Sequence, residues 1–299
     1  VSDWTAEPEY NGDTAGIYTF TPVLDLPESL TLAEGVTAPT ITVTVREEIT
    51  APMAKGMAAP LGVGTITGTM NVGGTMVSDL TQDANGTGWT LTLDSSYQGD
   101  YIKFACADTD TINLVCNGTV TVNKGDTYAI QSWGSLVIRG DGPLTISGGL
   151  RASKDIIILG TIGDISGSSS SGIDAGGSIS IYGAVGNITG VYAIYANGDI
   201  TISDVAVVGK IGAGGTGPNS SAYGIYSQNG SVTINGATGD ISGQYYGIHA
   251  KGGNAFINGT TGAISSTSGS NSGDSAIRAS VGVAINGTTG AISSKGDYG

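Results

Sequence analysis

Apolar positions between residues 158 and 293 recur in one fixed frame. In Ile234-Asn235-Gly236-Ala237-Thr238-Gly239-Asp240-Ile241-Ser242 the second Ile follows the first by seven residues, and a Gly stands two places before it. The frame returns at 257–265 and 285–293, and in weaker form at 181–189 and 158–166. Repetition this strict outweighs local propensity in deciding the fold.

A second pattern, small-Ile-x-small, alternates with the first. It reads Ala129-Ile130-Gln131-Ser132, Gly149-Leu150-Arg151-Ala152, Gly172-Ile173-Asp174-Ala175, Ala193-Ile194-Tyr195-Ala196, Gly224-Ile225-Tyr226-Ser227, Gly247-Ile248-His249-Ala250 and Ala276-Ile277-Arg278-Ala279. The Ile/Leu markers are 20, 23, 21, 31, 23 and 29 residues apart. The two long steps carry Ser/Gly-rich inserts at 212–219 and 266–273, and insertion at one turn is how solenoids vary between coils. Three short strands in a coil of 20–23 residues predict an all-β fold, a right-handed parallel β-helix, the hand following the general crossover preference. A left-handed helix of hexapeptides would place an apolar residue at every sixth position, and that pattern is absent. In the first strand the marker and the small residue two places on point inward, and the residue between them points out.

Composition agrees. Gly contributes 51 of 299 residues, 12% are charged and 6% aromatic. Too little charge and too many β-branched residues are present for disorder. The net charge of −14 repels phosphate backbones, which disfavours nucleic acid and anionic membrane surfaces. No apolar run reaches the length of a membrane span, so no membrane insertion is expected. Two cysteines, Cys106 and Cys116, are too few for a disulfide framework; they either pair or stay as buried thiols.

Residues 1–48 read differently. Residues 16–22 and 39–45 alternate like strands of a half-buried antiparallel sheet, with loops at 26–30 and 33–36. Gly16-Ile17-Tyr18-Thr19-Phe20-Thr21-Pro22 with Thr40-Ile41-Thr42-Val43-Thr44-Val45 resembles the C-terminal half of Ig-like modules in surface proteins of anaerobic gut bacteria, and Trp4 fits the strand before. A Pro/Ala-rich linker follows, placed at 49–74, and the β-helix occupies 75–299. The alternating strand 88–94 is expected in its N-terminal cap. Asp297-Tyr298-Gly299 would open another coil, which points to an array cut in mid-repeat and a larger multidomain chain.

Stacked coils allow the outward column of the first strand to be written down: Gln131, Arg151, Asp174, Tyr195, Tyr226, His249 and Arg278. Aromatic rings stack on sugar faces and polar ends bond hydroxyls, so Tyr195, Tyr226, His249, Arg278 and Asp174 are the candidate ligand contacts. The competing reading is an ordinary solvated strand face. Two residues before the marker lies another column, Tyr128, Tyr192, Tyr223, Tyr246 and Tyr298, whose phase predicts rings covering a corner of the core. His249, the one histidine, has no carboxylate in its strand to serve as an acid–base partner. Asp155, Asp164, Asp199, Asp204, Asp240 and Asp274 sit beside turns; neighbouring coils could share Ca²⁺ through such residues, although none is singled out. Paired carboxylates for glycoside hydrolysis are not repeated along the coils. Asn-Gly-Thr at 85–87, 117–119, 258–260 and 286–288 fits a glycosylation acceptor, but the Asn-Gly pairs are better explained as turns.

With Tyr192-Ala193-Ile194-Tyr195-Ala196-Asn197-Gly198-Asp199-Ile200-Thr201-Ile202 and Gly140-Asp141-Gly142-Pro143-Leu144-Thr145-Ile146-Ser147-Gly148 in view, residues 75–299 resemble the secreted, pectate-lyase-like β-helix proteins of anaerobic bacteria, the carbohydrate-binding domain-containing family. The resemblance implies a secreted or cell-wall-attached protein that binds plant or host polysaccharide, with calcium in some members. The chain lacks the Gly-His-Gly and Asn-Thr-Asp patterns of polygalacturonases, and Arg139, Arg151 and Arg278 stand apart from any Asp cluster of the pectate-lyase kind. The expectation is a non-catalytic module that binds polysaccharide along one face. A structural stalk or adhesin repeat without glycan affinity is the alternative, and a polysaccharide lyase or hydrolase the third.

Overall fold

The computed structural model describes residues 3–7, 16–23, 40–45, 70–72, 75–77, 81–82, 88–94, 97–99, 101–104, 106, 108–140, 142–167, 171–213, 222–268 and 274–295. These residues are strand, turn and bend throughout, and no helix among them is long and apolar enough to cross a membrane. The chain divides into two compact units, Val1–Ala58 and Ala59–Gly299.

The first unit holds a three-stranded antiparallel sheet of Asp3–Glu7, Gly16–Val23 and Ile41–Val45, in that order. Both alternating segments are strands, and Trp4 lies on the strand that pairs with the first of them. The expected loops at 26–30 and 33–36 and the Pro/Ala-rich stretch after residue 49 lie outside the described residues.

The second unit is a parallel β-helix. Its first sheet runs through Val120–Ser132, Leu144–Ala152, Ile173–Ala175, Tyr192–Ala196, Tyr223–Ser227, Tyr246–Ala250 and Ser275–Ala279. Every marker sits on the next: Ile130, Leu150, Ile173, Ile194, Ile225, Ile248 and Ile277 pair in succession. A second sheet stacks Ile156, Ile179, Ile200 and Val232, and beside them Ile158, Ile181, Ile202 and Ile234. A third stacks Ile165, Ile188, Ile211, Ile241, Ile264 and Ile292. The Gly-containing turn before that third sheet carries two-residue strands of its own, such as Val207–Val208 and Ala237–Thr238, which make a narrow corner sheet. Parallel pairing aligns these columns, with register shifts only between Val120–Ser132 and Leu144–Ala152 among these pairs, and each coil advances about 4.8 Å.

Burial in this core comes from the neighbouring coil. Ala255, Ile257 and Ile264 are 0–1% exposed between two described coils, whereas Val283, Ile285 and Ile292, their equivalents one coil on, are 41–47% exposed. At the other end the apolar edge is turned by antiparallel strands. Met70–Val72 pairs with Ile102–Phe104 and Thr75–Val77, and Thr81–Gln82 pairs with Trp89–Asp94. Trp89–Asp94, expected in the cap, pairs in parallel with Thr111–Asn117 and belongs to the second sheet itself. Alternation alone does not separate a cap strand from a first coil strand, because both bury one face.

The two glycines of the repeated frame have separate causes. A Cβ on Gly259 would lie 2.0 Å from the carbonyl oxygen of Gly236, its equivalent one coil earlier, so the backbones touch there. A Cβ on Gly262 would lie 2.4 Å from Asp240 Oδ1. That second Gly makes room for a carboxylate bending toward the next coil.

Two substitutions test this stacking by chemical denaturation. Ile202→Ala removes a fully buried rung and is expected to cost about 2–5 kcal/mol. Gly259→Ala forces a Cβ into backbone and is expected to lower the midpoint as well. Midpoints equal to wild type in both would contradict the stacked core.

Candidate functional site

The outward column forms as its sequence positions imply. Gln131, Arg151, Asp174, Tyr195, Tyr226, His249 and Arg278 pair in unbroken succession across the first sheet. All five candidate ligand contacts therefore stand in one line, each one strand from the next.

The other tyrosine column lies outside the packed apolar cluster, with Tyr246 buried at 9% exposure. Ala193 and Ile194 are adjacent and both fully buried, so strict alternation breaks at the small residue. The ladder likewise pairs Tyr192 with Tyr223 and then Ile194 with Ile225. This bend places the small residue inside and leaves Tyr192 on the same side as Tyr195, with ring centroids 5.5 Å apart and edge to face. The period-two rule fails here because the chain is turning a corner of the coil. Tyr192, Tyr223 and Tyr246 thereby join the site, together with Tyr245, 6.2 Å from Tyr223. The signal for them is Tyr-x-Ile-Tyr/His, two aromatics flanking each of the markers Ile194, Ile225 and Ile248. Tyr298 lies outside the described residues.

The result is a single band of rings. Tyr192 and Tyr223 stack at 5.2 Å with planes 3° apart, and Tyr223 and Tyr246 at 5.4 Å with planes 20° apart. These separations follow the coil spacing of about 4.8 Å, so the backbone dictates the stack. Tyr226 lies 4.9 Å from Tyr223, and His249 lies 4.6 Å from Tyr246 and 5.2 Å from Tyr226. Each such pair contributes about 0.5–1.5 kcal/mol beyond its buried area. Stacking has a chemical consequence: the faces of Tyr223 are turned to its own neighbours. Tyr226 is only 9% exposed and acts as floor. Tyr195 is tilted 61° from Tyr192 and 42° from Tyr226, off the stack, and its hydroxyl donates to Gln228 Oε1 at 3.2 Å.

Charged groups close both ends. Arg278 Nη1 donates to the Tyr246 hydroxyl at 2.6 Å, with its guanidinium 5.5 Å from that ring's centre. At the other end the Tyr128 hydroxyl donates to Asp174 Oδ2 at 2.5 Å, and Arg151 lies over the Tyr128 ring with its Nε 4.0 Å from the same oxygen. Asp174 is thus committed to a local knot. Burial pushes the Tyr223 phenol up to about 12, aided by the surrounding tyrosines, so at neutral pH it remains a neutral donor. Burial, then Arg278 and Lys251, pushes the His249 imidazole down to about 4. Its Nδ1 is buried and has no hydrogen-bond partner among the described residues.

Four of the six turn carboxylates bond the next coil, whereas Asp204 Oδ1 accepts the Ser203 hydroxyl at 3.0 Å and Asp274 is buried with Oδ2 unpartnered among the described residues. Asp155 Oδ1 accepts the Ser178 amide at 2.7 Å, Ser178 Oγ that of Asp199 at 3.1 Å, Asp199 Oδ1 that of Ser231 at 2.7 Å, and Ser231 Oγ that of Asn254 at 3.1 Å. A second chain of the same kind runs from Asp164 to Asn187 and Lys210, and from Asp240 to Ala263. Each side chain satisfies an amide of the following coil, worth about 1.5–3 kcal/mol where the acceptor is charged. Among the described residues no group of three or more His, Cys, Asp or Glu side chains converges as a metal site would require. Asn235, Asn258 and Asn286 form an amide ladder with 2.8 Å bonds, which supports the turn reading of those Asn-Gly pairs. Cys106 and Cys116 are free and buried, and burial pushes the Cys116 thiol up to about 11, far from reactive.

The lone histidine gives a direct check. Between pH 6.5 and about 4 the unfolded chain binds a proton that folded His249 refuses, so stability falls as pH drops through that window. Imidazole NMR signals of the folded protein are expected to titrate near 4; an inflection near 6.5 would contradict the packing described.

No family model, curated protein or solved structure matches the chain.

Proposed function

We propose that the β-helix is a non-catalytic extracellular or cell-surface module that binds a polysaccharide along the outward face of its first sheet. The observation that carries this reading is the gathering of Tyr192, Tyr195, Tyr223, Tyr226, Tyr246 and His249 into one aromatic band running along the coil stack. An extended polymer can follow such a band, meeting phenol hydroxyls and ring edges at a constant interval, with Tyr195 as the ring set off the stack. The resemblance of the coils to carbohydrate-binding β-helix proteins points the same way.

Two features support a binding rather than a catalytic role. Asp155, Asp164, Asp199 and Asp240 are engaged with backbone amides. His249 is held neutral among rings and faces two cations, not a carboxylate. The reading needs no metal at the face.

One observation favours the second reading, a stalk or adhesin repeat without glycan affinity. The rings of the Tyr223 stack spend their faces on each other, and a stack serves to stiffen a solenoid whether or not a ligand comes.

Binding to a panel of soluble and insoluble polysaccharides, with Ca²⁺ and with chelator, separates the two. The expected result is binding that chelator leaves intact and that Tyr195→Ala weakens about tenfold, the scale of an aromatic anchor. Tyr195→Phe distinguishes the hydroxyl from the ring. Binding abolished by chelator would return attention to the turn aspartates, and no binding across the panel would establish the stalk reading over this one.

A further inference from the structure

Trp133 stands out among the apolar side chains of the described residues. It is 44% exposed, and it is the one aromatic among the exposed large hydrophobics. It occupies the first turn position after a first-sheet strand, where its amide bonds the Phe104 carbonyl at 3.2 Å. The equivalent residues in later coils are Ser153, Gly176, Asn197, Gln228, Lys251 and Ser280, placed by the same type of amide bond. Packing therefore does not demand a large ring at this position.

Two contacts show that this turn position borders the outward face of the first sheet. Lys103, which pairs with Gln131 in the outward column, holds its Nζ 5.3 Å from the centre of the Trp133 ring. In the aromatic band, Gln228 of the same turn position accepts the Tyr195 hydroxyl. Trp133 and the band thus share one face. Counting coils from Gln131 through Arg151 and Asp174 to Tyr195 gives three steps, about 14 Å at one strand spacing per coil. The polar knot of Arg151, Tyr128 and Asp174 fills the interval.

We propose that Trp133 is a second aromatic contact for the same polysaccharide, so that the first sheet holds its ligand at two points three coils apart. This rests on the polysaccharide reading above and adds a length requirement to it. A chain long enough to span both points makes the second contact intramolecularly, at high effective concentration, and gains affinity. A chain confined to the tyrosine band gains nothing from Trp133.

The test compares short oligomers of xylan, cellulose, mannan and polygalacturonate with the parent polymers on wild type, Trp133→Ala, Trp133→Phe and Tyr195→Ala. Thermal melting confirms that each variant folds. Wild type is expected to bind polymer more tightly than short oligomer. Trp133→Ala is expected to weaken polymer binding about tenfold, on the scale of a truncated anchor, and to leave short-oligomer binding unchanged. Trp133→Phe should recover part of the loss. Polymer affinity unchanged in Trp133→Ala, with Tyr195→Ala still weakened, would overturn the second contact and leave the band as the whole site. Equal losses for short and long ligands in Trp133→Ala would also overturn it. Wild type that binds none of these glycans would overturn the parent reading and this inference with it.

Discussion

Register is the constraint on which the β-helix depends. From the Leu144–Ala152 strand onward each first-sheet strand lies on the last in parallel pairing with no shift, so any residue repeated in sequence is repeated in space at the strand spacing. Isoleucine over isoleucine fills the core, carboxylate over amide ties successive turns, and ring over ring builds the band. The exposure of Val283, Ile285 and Ile292 beside that of Ala255, Ile257 and Ile264 shows how much of the burial a neighbouring coil supplies. A coil cannot be stable by itself, and a defect in one weakens the next.

The same constraint shapes the candidate site. A side chain on the first sheet is held with little freedom because its equivalents above and below occupy the space it would move into. The tyrosine band is therefore preorganised, and a ligand that follows it avoids part of the ordering cost of association. Preorganisation also limits what the band can do. Rings stacked on each other present edges and hydroxyls; Tyr195 is tilted off the stack, and Trp133 is 44% exposed with the Lys103 ammonium over its ring. The polar knot at Asp174 lies between those two aromatic regions.

Much of this was legible in the sequence, because a period is a statement about space once the fold is a solenoid. The isoleucine ladders of the three sheets and the outward column follow from spacing alone. Period-two alternation breaks at the small residue before the marker, at Ala193 as at Ala129, and for that reason the sequence phase puts the Tyr192 column at the core corner rather than beside Tyr195. The turn aspartates read as turn residues in the sequence, yet the partners of Asp155 and Asp240 lie one coil away and more than twenty residues on. Trp133 belongs to no repeated pattern, since its counterparts are small or polar; its contact with Lys103 and the Gln228–Tyr195 bond at the same turn position place it beside the face.

The measurement that tests the central claim most directly is side-chain oxidative footprinting of the protein with and without bound polysaccharide, read by mass spectrometry. The account predicts that ligand slows oxidation at Tyr195 and Trp133. It also predicts unchanged rates at Val205, in the turn before the corner sheet, and at Val207 on it, both exposed. Protection at Val205 and Val207 with Tyr195 unaffected would contradict it, by placing the ligand away from the first sheet.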